Sequence, residues 1–183
     1  MCKVCVFLAD GFEEIEGLTV VDLLRRAGIV TNTVSIMNRK EIQGAHNITV
    51  IADQLFEEAD FREYDMLVLP GGMPGTLNLG AHKELVELLK QAASDGKNIA
   101  AICAAPSVLG DNGILKGKRA ICYPGFEDRL AEAIITKENV VVDKNIITSR
   151  GMGTAIEFGL AIIEKLINQE TALKISNSIC YNN

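Results

Sequence analysis

The sequence predicts an α/β domain, a mainly parallel β-sheet covered on both faces by helices. Two observations carry this expectation. Short apolar runs alternate with longer stretches of helical spacing from one end of the chain to the other, and repeated strand–helix units place parallel strands side by side through helical crossovers. The 183 residues are 48% hydrophobic and 23% charged, which supports a packed core and argues against disorder. No linker, internal repeat or low-complexity segment interrupts the pattern, so residues 1–183 are expected to form a single domain.

Lys3–Ala9 is a short apolar run with the length of a buried strand. Glu14–Ala27 has helical spacing and ends at Gly28, a common stop residue. Val30–Met37 is rich in β-formers, and Ile48–Ile51 reads as a further strand. Asp65–Leu69 is a buried-strand run that ends in Pro70-Gly71-Gly72. A helix is predicted over His82–Ser94, stopped near Gly96, and Asn98–Ile102 is a core strand. Asn139–Val142 and Ile146–Ser149, separated by Asp143-Lys144-Asn145, read as a hairpin or two short strands. Thr154–Ile167 and a last helix from Glu170 close the chain. In such sheets the ligand site lies beyond the carboxyl ends of the strands. That rule singles out the turns Asp10–Glu16, Gly71–Gly75 and Cys103–Pro106.

A net charge of −6, with no run of Lys or Arg, argues against nucleic acid or an anionic membrane surface as partner. No apolar stretch is long enough to span a bilayer, and the leading one lacks a signal-peptide cleavage pattern, so a cytosolic, reducing location is expected. Five cysteines at irregular spacing do not look like a disulfide framework, which turns attention to a reactive thiol. Cys2 and Cys5 have CxxC spacing, but on a strand they point to opposite faces. Gly151-Met152-Gly153 lacks the third glycine of a dinucleotide loop, since Ile156 stands there, and no phosphate-loop motif is found.

Cys103 directly follows the strand Asn98–Ile102 and precedes Ala104-Ala105-Pro106, where Pro106 suits the first turn of a helix. This is the layout of a nucleophile elbow, and a helix N-terminus favours a thiolate. Glu16 shares a helix face with Val20, Leu23, Leu24 and Ala27. It should therefore point inward, where burial raises its pKa and leaves it able to donate a hydrogen bond to a thiolate. Glu13 and Glu14 read as partners for the positive helix end. The backbone N–H groups of Gly72, which follows Gly71 in the turn, and of Ala104 are candidates for an oxyanion hole. No His adjoins Cys103; of the two in the chain, His82 is expected in solvent and His46 is a candidate pocket residue.

Several stretches resemble the DJ-1/ThiJ/PfpI superfamily, and within it the DJ-1/YajL branch. They are Ala9–Gly28 with Glu13-Glu14-Ile15-Glu16, Leu69-Pro70-Gly71-Gly72, Ala100–Pro106, and Thr148–Thr154 with Ser149-Arg150-Gly151. The resemblance implies a flavodoxin-like three-layer sandwich, as in class I glutamine amidotransferase-like folds, and a homodimer built partly around the first helix. It implies Cys103 as an easily oxidised thiol hydrogen-bonded to a protonated Glu16. It also implies cofactor-free and metal-free conversion of methylglyoxal to lactate, related deglycation of proteins, and protection against oxidative stress. Tyr123 stands where many relatives carry a histidine near the thiol. His46 stands where an arginine helps bind an anion. Protease relatives carry a His after the Cys, and Ala104 here argues against that activity. The expected function is a cysteine-dependent enzyme acting on small dicarbonyls. The alternatives are a redox sensor or chaperone whose Cys103 is oxidised to sulfinic acid, and a structural dimer module with no reactive thiol.

Overall fold

The computed structural model describes residues 2–181. The chain runs β1 (Lys3–Leu8), α1 (Glu14–Arg26), β2 (Val30–Ser35), β3 (Glu41–Gln43), β4 (Thr49–Ile51), β5 (Gln54–Leu55), β6 (Met66–Leu69), α2 (Gly75–Ala81), α3 (Lys83–Ser94), β7 (Asn98–Ile102) and α4 (Pro106–Asp111). It continues through β8 (Arg119–Ala120), β9 (Ile134–Ile135), β10 (Val140–Asp143), β11 (Ile146–Ser149), α5 (Ala155–Leu166) and α6 (Gln169–Ser178). Seven strands form one sheet in the order β10-β11-β7-β6-β1-β2-β5. All neighbours are parallel except β10 and β11, which form the antiparallel hairpin expected at that place. This is the flavodoxin-like, mainly parallel three-layer arrangement.

The central strands have two buried faces, which is why their sequences are near-continuous apolar runs. In β1, Val4, Val6 and Leu8 pack under α1 and α5, while Cys5 and Phe7 face the layer of α2, α3 and α4. In β6, Met66 and Val68 alternate in the same way with Leu67 and Leu69. The two-residue period of a strand therefore divides one apolar run between two cores. It also separates the two leading thiols: Cys5 lies in one core and Cys2 packs against the other. All five cysteines are free. Helices α1 and α5 approach closely because Gly159 has no side chain; a Cβ there would lie 2.6 Å from Leu23 Cδ1.

Ile48–Ile51 supplies the expected further strand, but outside the main sheet. Its residues 49–51 pair with β3 in a separate antiparallel hairpin, because Glu41-Ile42-Gln43 supplies a partner nearer in the chain. Helix α2 and the short parallel pair β8–β9 are too brief to show a period, and sequence patterning missed both. His82 is not simply solvated: its Nδ1 accepts the Leu85 N–H at 3.1 Å and caps α3, and its ring packs 4.6 Å from that of Phe56.

Candidate active site

Four neighbouring strands, β11, β7, β6 and β1, end on the same side of the sheet. The turns after them bring together residues far apart in sequence. Cys103 follows β7 with φ +65°, a left-handed backbone rarely used by a side-chain-bearing residue. Such strain costs on the order of 1–3 kcal/mol and persists only where the surroundings enforce it. Here they do: the Cys103 N–H donates to Ser149 O at 2.9 Å, and Cys103 O accepts from Tyr123 N–H at 2.7 Å.

Glu16 rises from α1 and is 1% exposed. One carboxyl oxygen, Oε2, accepts the Gly71 N–H at 2.9 Å. The other, Oε1, is buried with no hydrogen-bond partner among the described residues. The Cys103 thiol lies close enough to Glu16 for each to shift the other, through charge and through a loose side-chain contact. Burial raises Glu16 from near 4.5 to about 7, against the lowering effect of Cys103 and of the Gly71 N–H. Burial and the Glu16 charge push the Cys103 thiol up to about 12, while the N–H groups of Ala104 and Gly72 pull it down. The helix-end N–H of Ala104 thus favours the thiolate, as the sequence implied, but does not decide the balance. Helix α4 is only six residues long, and burial with a neighbouring carboxylate outweighs its N–H groups.

Glycine is required at two places. A Cβ on Gly71 would lie 2.6 Å from Cys103 Cβ and 2.7 Å from Glu16 Oε2. Gly72 has φ +92°, and a Cβ there would lie 2.2 Å from Glu13 N. Bare backbone at both positions lets the β6 turn reach the thiol.

Above the thiol opens a cleft of about 410 Å³. Glu16, Gly72, Cys103, Ala104, Tyr123 and His46, all named from the sequence, line it. Gly71 lies beneath, bonded to Glu16. Glu13, Met73, Phe126 and Met152 complete the wall. Of these only Glu13 drew notice in the sequence, as a partner for the helix end, and nothing local marks Phe126 or Met152. Glu14 departs from its expected role. It is buried, its Oε1 accepts the His46 N–H at 2.8 Å, and its Oε2 meets His46 Nδ1 at 2.9 Å. Burial pushes Glu14 up, but these bonds outweigh it and lower its pKa. The hydrogen bond to Glu14, and the nearby Glu13, raise His46. His46 therefore stands at the mouth of the cleft, held by a carboxylate.

A model of the DJ-1/PfpI family matches residues 2–165. The chain belongs to the DJ-1/PfpI family. Protein DJ-1 homolog B of Arabidopsis thaliana is 37% identical over 177 residues, 96% of this chain and 40% of that protein; the chain thus spans less than half of that relative. A Pyrococcus abyssi protein named a deglycase is 37% identical over 154 residues, 82% of this chain and 91% of its own. The structure of oxidized Toxoplasma gondii DJ-1 superposes with a TM-score of 0.96 at 38% identity, covering 100% of both chains. Among the described residues of this DJ-1/PfpI chain, no helix is long and apolar enough to cross a membrane.

Proposed function

We propose that the chain is a cysteine-dependent, cofactor-free enzyme of the glyoxalase or deglycase type, acting on methylglyoxal or related dicarbonyls. One observation carries the reading: a buried carboxyl with a free oxygen stands beside Cys103, and two backbone N–H groups converge on the same sulfur. The family relative named a deglycase supports the same class of chemistry.

The reaction needs no outside oxidant. With the proton on Glu16, the Cys103 thiolate adds to the aldehyde carbon, and the oxygen that gains the electron pair is held by the Gly72 and Ala104 N–H groups and protonated from Glu16. The Glu16 carboxylate then takes the hydrogen of the former aldehyde carbon as a proton and returns it to the adjacent carbon, while the hydroxyl proton on the first carbon's oxygen passes to the oxygen of the second. The first carbon is oxidised to a thioester as the second is reduced to an alcohol. Water cleaves the thioester, releasing lactate and the thiol. Tyr123 and His46 line the cleft as substrate-facing residues.

Lactate formation from methylglyoxal, without glutathione or added metal, tests this reading. Activity in the wild type and none in Cys103→Ser is the expected result; an equally active variant overturns it. A second reading uses the same unpartnered Glu16 Oε1. Mild peroxide oxidises Cys103 to the sulfinic acid, and Glu16 donates to the new oxygen. Selective gain of two oxygens at Cys103 by mass spectrometry, in a protein inert toward dicarbonyls, favours redox sensing. A cytosolic setting, protection against carbonyl or oxidative stress, and a homodimer around α1 belong to the same proposal. Exposed Ile15 on α1 and exposed Ile48 and Ile51 of the β3–β4 hairpin supply apolar surface for that dimer.

A further inference from the structure

Beside the thiol cleft lies a second hollow of about 340 Å³, bounded by Cys122, Glu127, Thr136, Lys137 and Arg150. Its walls hang from Cys103. Tyr123, next to Cys122, donates its N–H to Cys103 O, and Ser149, next to Arg150, accepts the Cys103 N–H. Arg150 N–H in turn donates to Asn139 O at 3.3 Å, which draws the segment after Lys137 to the same rim. The Tyr123 ring lines the thiol cleft and packs on Gly151, where a Cβ would lie 3.2 Å from the ring and 3.8 Å from Glu16 Oε1.

Two exposed cations, Lys137 and Arg150, edge this hollow in a chain of net charge −6. Among the described residues, neither Lys137 nor Arg150 has an ion-pair partner, whereas Arg119 and Arg129 pair with Glu138 and Asp111. Thr136 Oγ1 is buried with no hydrogen-bond partner. The acid at the rim, Glu127, is engaged: its Oε2 accepts the Gly125 N–H at 2.7 Å. A guanidinium, an ammonium and a free hydroxyl around one small hollow match the several oxygens and two charges of a phosphate monoester better than a single carboxylate.

We propose that Thr136, Lys137 and Arg150 form an anion subsite that takes the phosphate end of a small phosphorylated carbonyl compound, whose carbonyl carbon reaches Cys103. The substrate class rests on the enzymatic reading above; the subsite does not. Binding is therefore measured first, by titrating inorganic phosphate into the full chain in a calorimeter. Saturable binding is expected, weakened at least tenfold in the Lys137→Gln/Arg150→Gln double variant and strengthened in Glu127→Gln, which keeps the bond to Gly125 and removes the opposing charge. No saturable binding, or equal binding in the double variant, overturns the subsite. The second arm compares kcat/KM for a 2-oxoaldehyde bearing a phosphate with that for one bearing a carboxylate. Preference for the phosphate, falling at least tenfold in the double variant, supports the proposed class; preference for the carboxylate overturns it. Phosphate binding that depends on Lys137 and Arg150, in a protein that turns over neither compound, supports the subsite and removes the enzymatic reading alone.

Discussion

Cys103 and Glu16 titrate as a pair, because each lies in the field of the other. Glu16 carries its proton to about pH 7, and the second proton leaves only near the raised value of the thiol, about 12. Between these values the pair shares one proton, so the fraction present as thiolate stays constant. The rate of Cys103 alkylation should therefore rise tenfold per pH unit below 7 and then level off. In Glu16→Gln the plateau should vanish and the rate should keep climbing up to the pKa of the thiol, which burial still raises without the Glu16 charge; a plateau that survives would show that Glu16 does not set it. The same variant removes the proton carrier of the proposed reaction, so turnover should fall about 10²–10⁴-fold. Stability offers an independent check. The folded state holds the Glu16 proton more tightly than the unfolded chain does, so stability should fall as pH rises from about 4.5 to about 7. The loss amounts to about 3 kcal/mol, and pH-dependent denaturant melts of wild type and Glu16→Gln should differ by that slope.

At the scale of elements, Glu14 ties the loop between β3 and β4 to the start of α1. Glu14→Ala removes an acceptor from the His46 N–H, and such a loss costs about 1–3 kcal/mol. A lowered Tm is expected, together with a drop in the His46 pKa toward 6.5 followed by NMR. An unchanged His46 titration would argue that the clamp is absent in solution. The sign for His46 is the same as that for Glu16, because both folded pKa values are raised. Its raised folded pKa adds stability that is full below pH 6.5 and fades as pH climbs through the folded value. The turn after β6 is a second element under strict control. Gly71→Ala should abolish lactate formation while leaving the far-ultraviolet circular dichroism intact, because its Cβ would collide with Cys103 and Glu16 together.

For the whole molecule, the exposed residues Ile15, Ile48 and Ile51 predict a homodimer. Sedimentation equilibrium should return twice the chain mass for the wild type and a shift toward monomer for Ile15→Glu/Ile51→Lys. A wild-type monomer at micromolar concentration would discard the dimer. The sheet itself was legible because buried parallel strands write themselves as continuous apolar runs: Lys3–Leu8, Met66–Leu69 and Asn98–Ile102 all lie within the segments read from sequence. The hairpin of β3 and β4 was half legible. Val50 and Ile51 suggested a strand, but its partner Glu41–Gln43 carries one buried residue, Ile42, and no apolar period.

The sequence by itself determined that a thiol would stand at a strand-to-helix turn and that Glu16 would face inward, because both follow from local periodicity. Small residues and Pro106 follow Cys103, and Glu16 falls in register with Val20, Leu23 and Leu24. Only the tertiary structure decided which groups meet there. The order β11-β7-β6-β1 sets the Gly71-Gly72 turn and Ser149-Arg150 on either side of Cys103. Depth of burial then outweighed the helix-end N–H groups in setting the thiol pKa, since desolvation depends on everything packed around a group and not on its own neighbours in the chain. The pairing of Glu14 with His46 and the hollow beneath Lys137 and Arg150 arise in the same way, from residues that only the closed fold brings together.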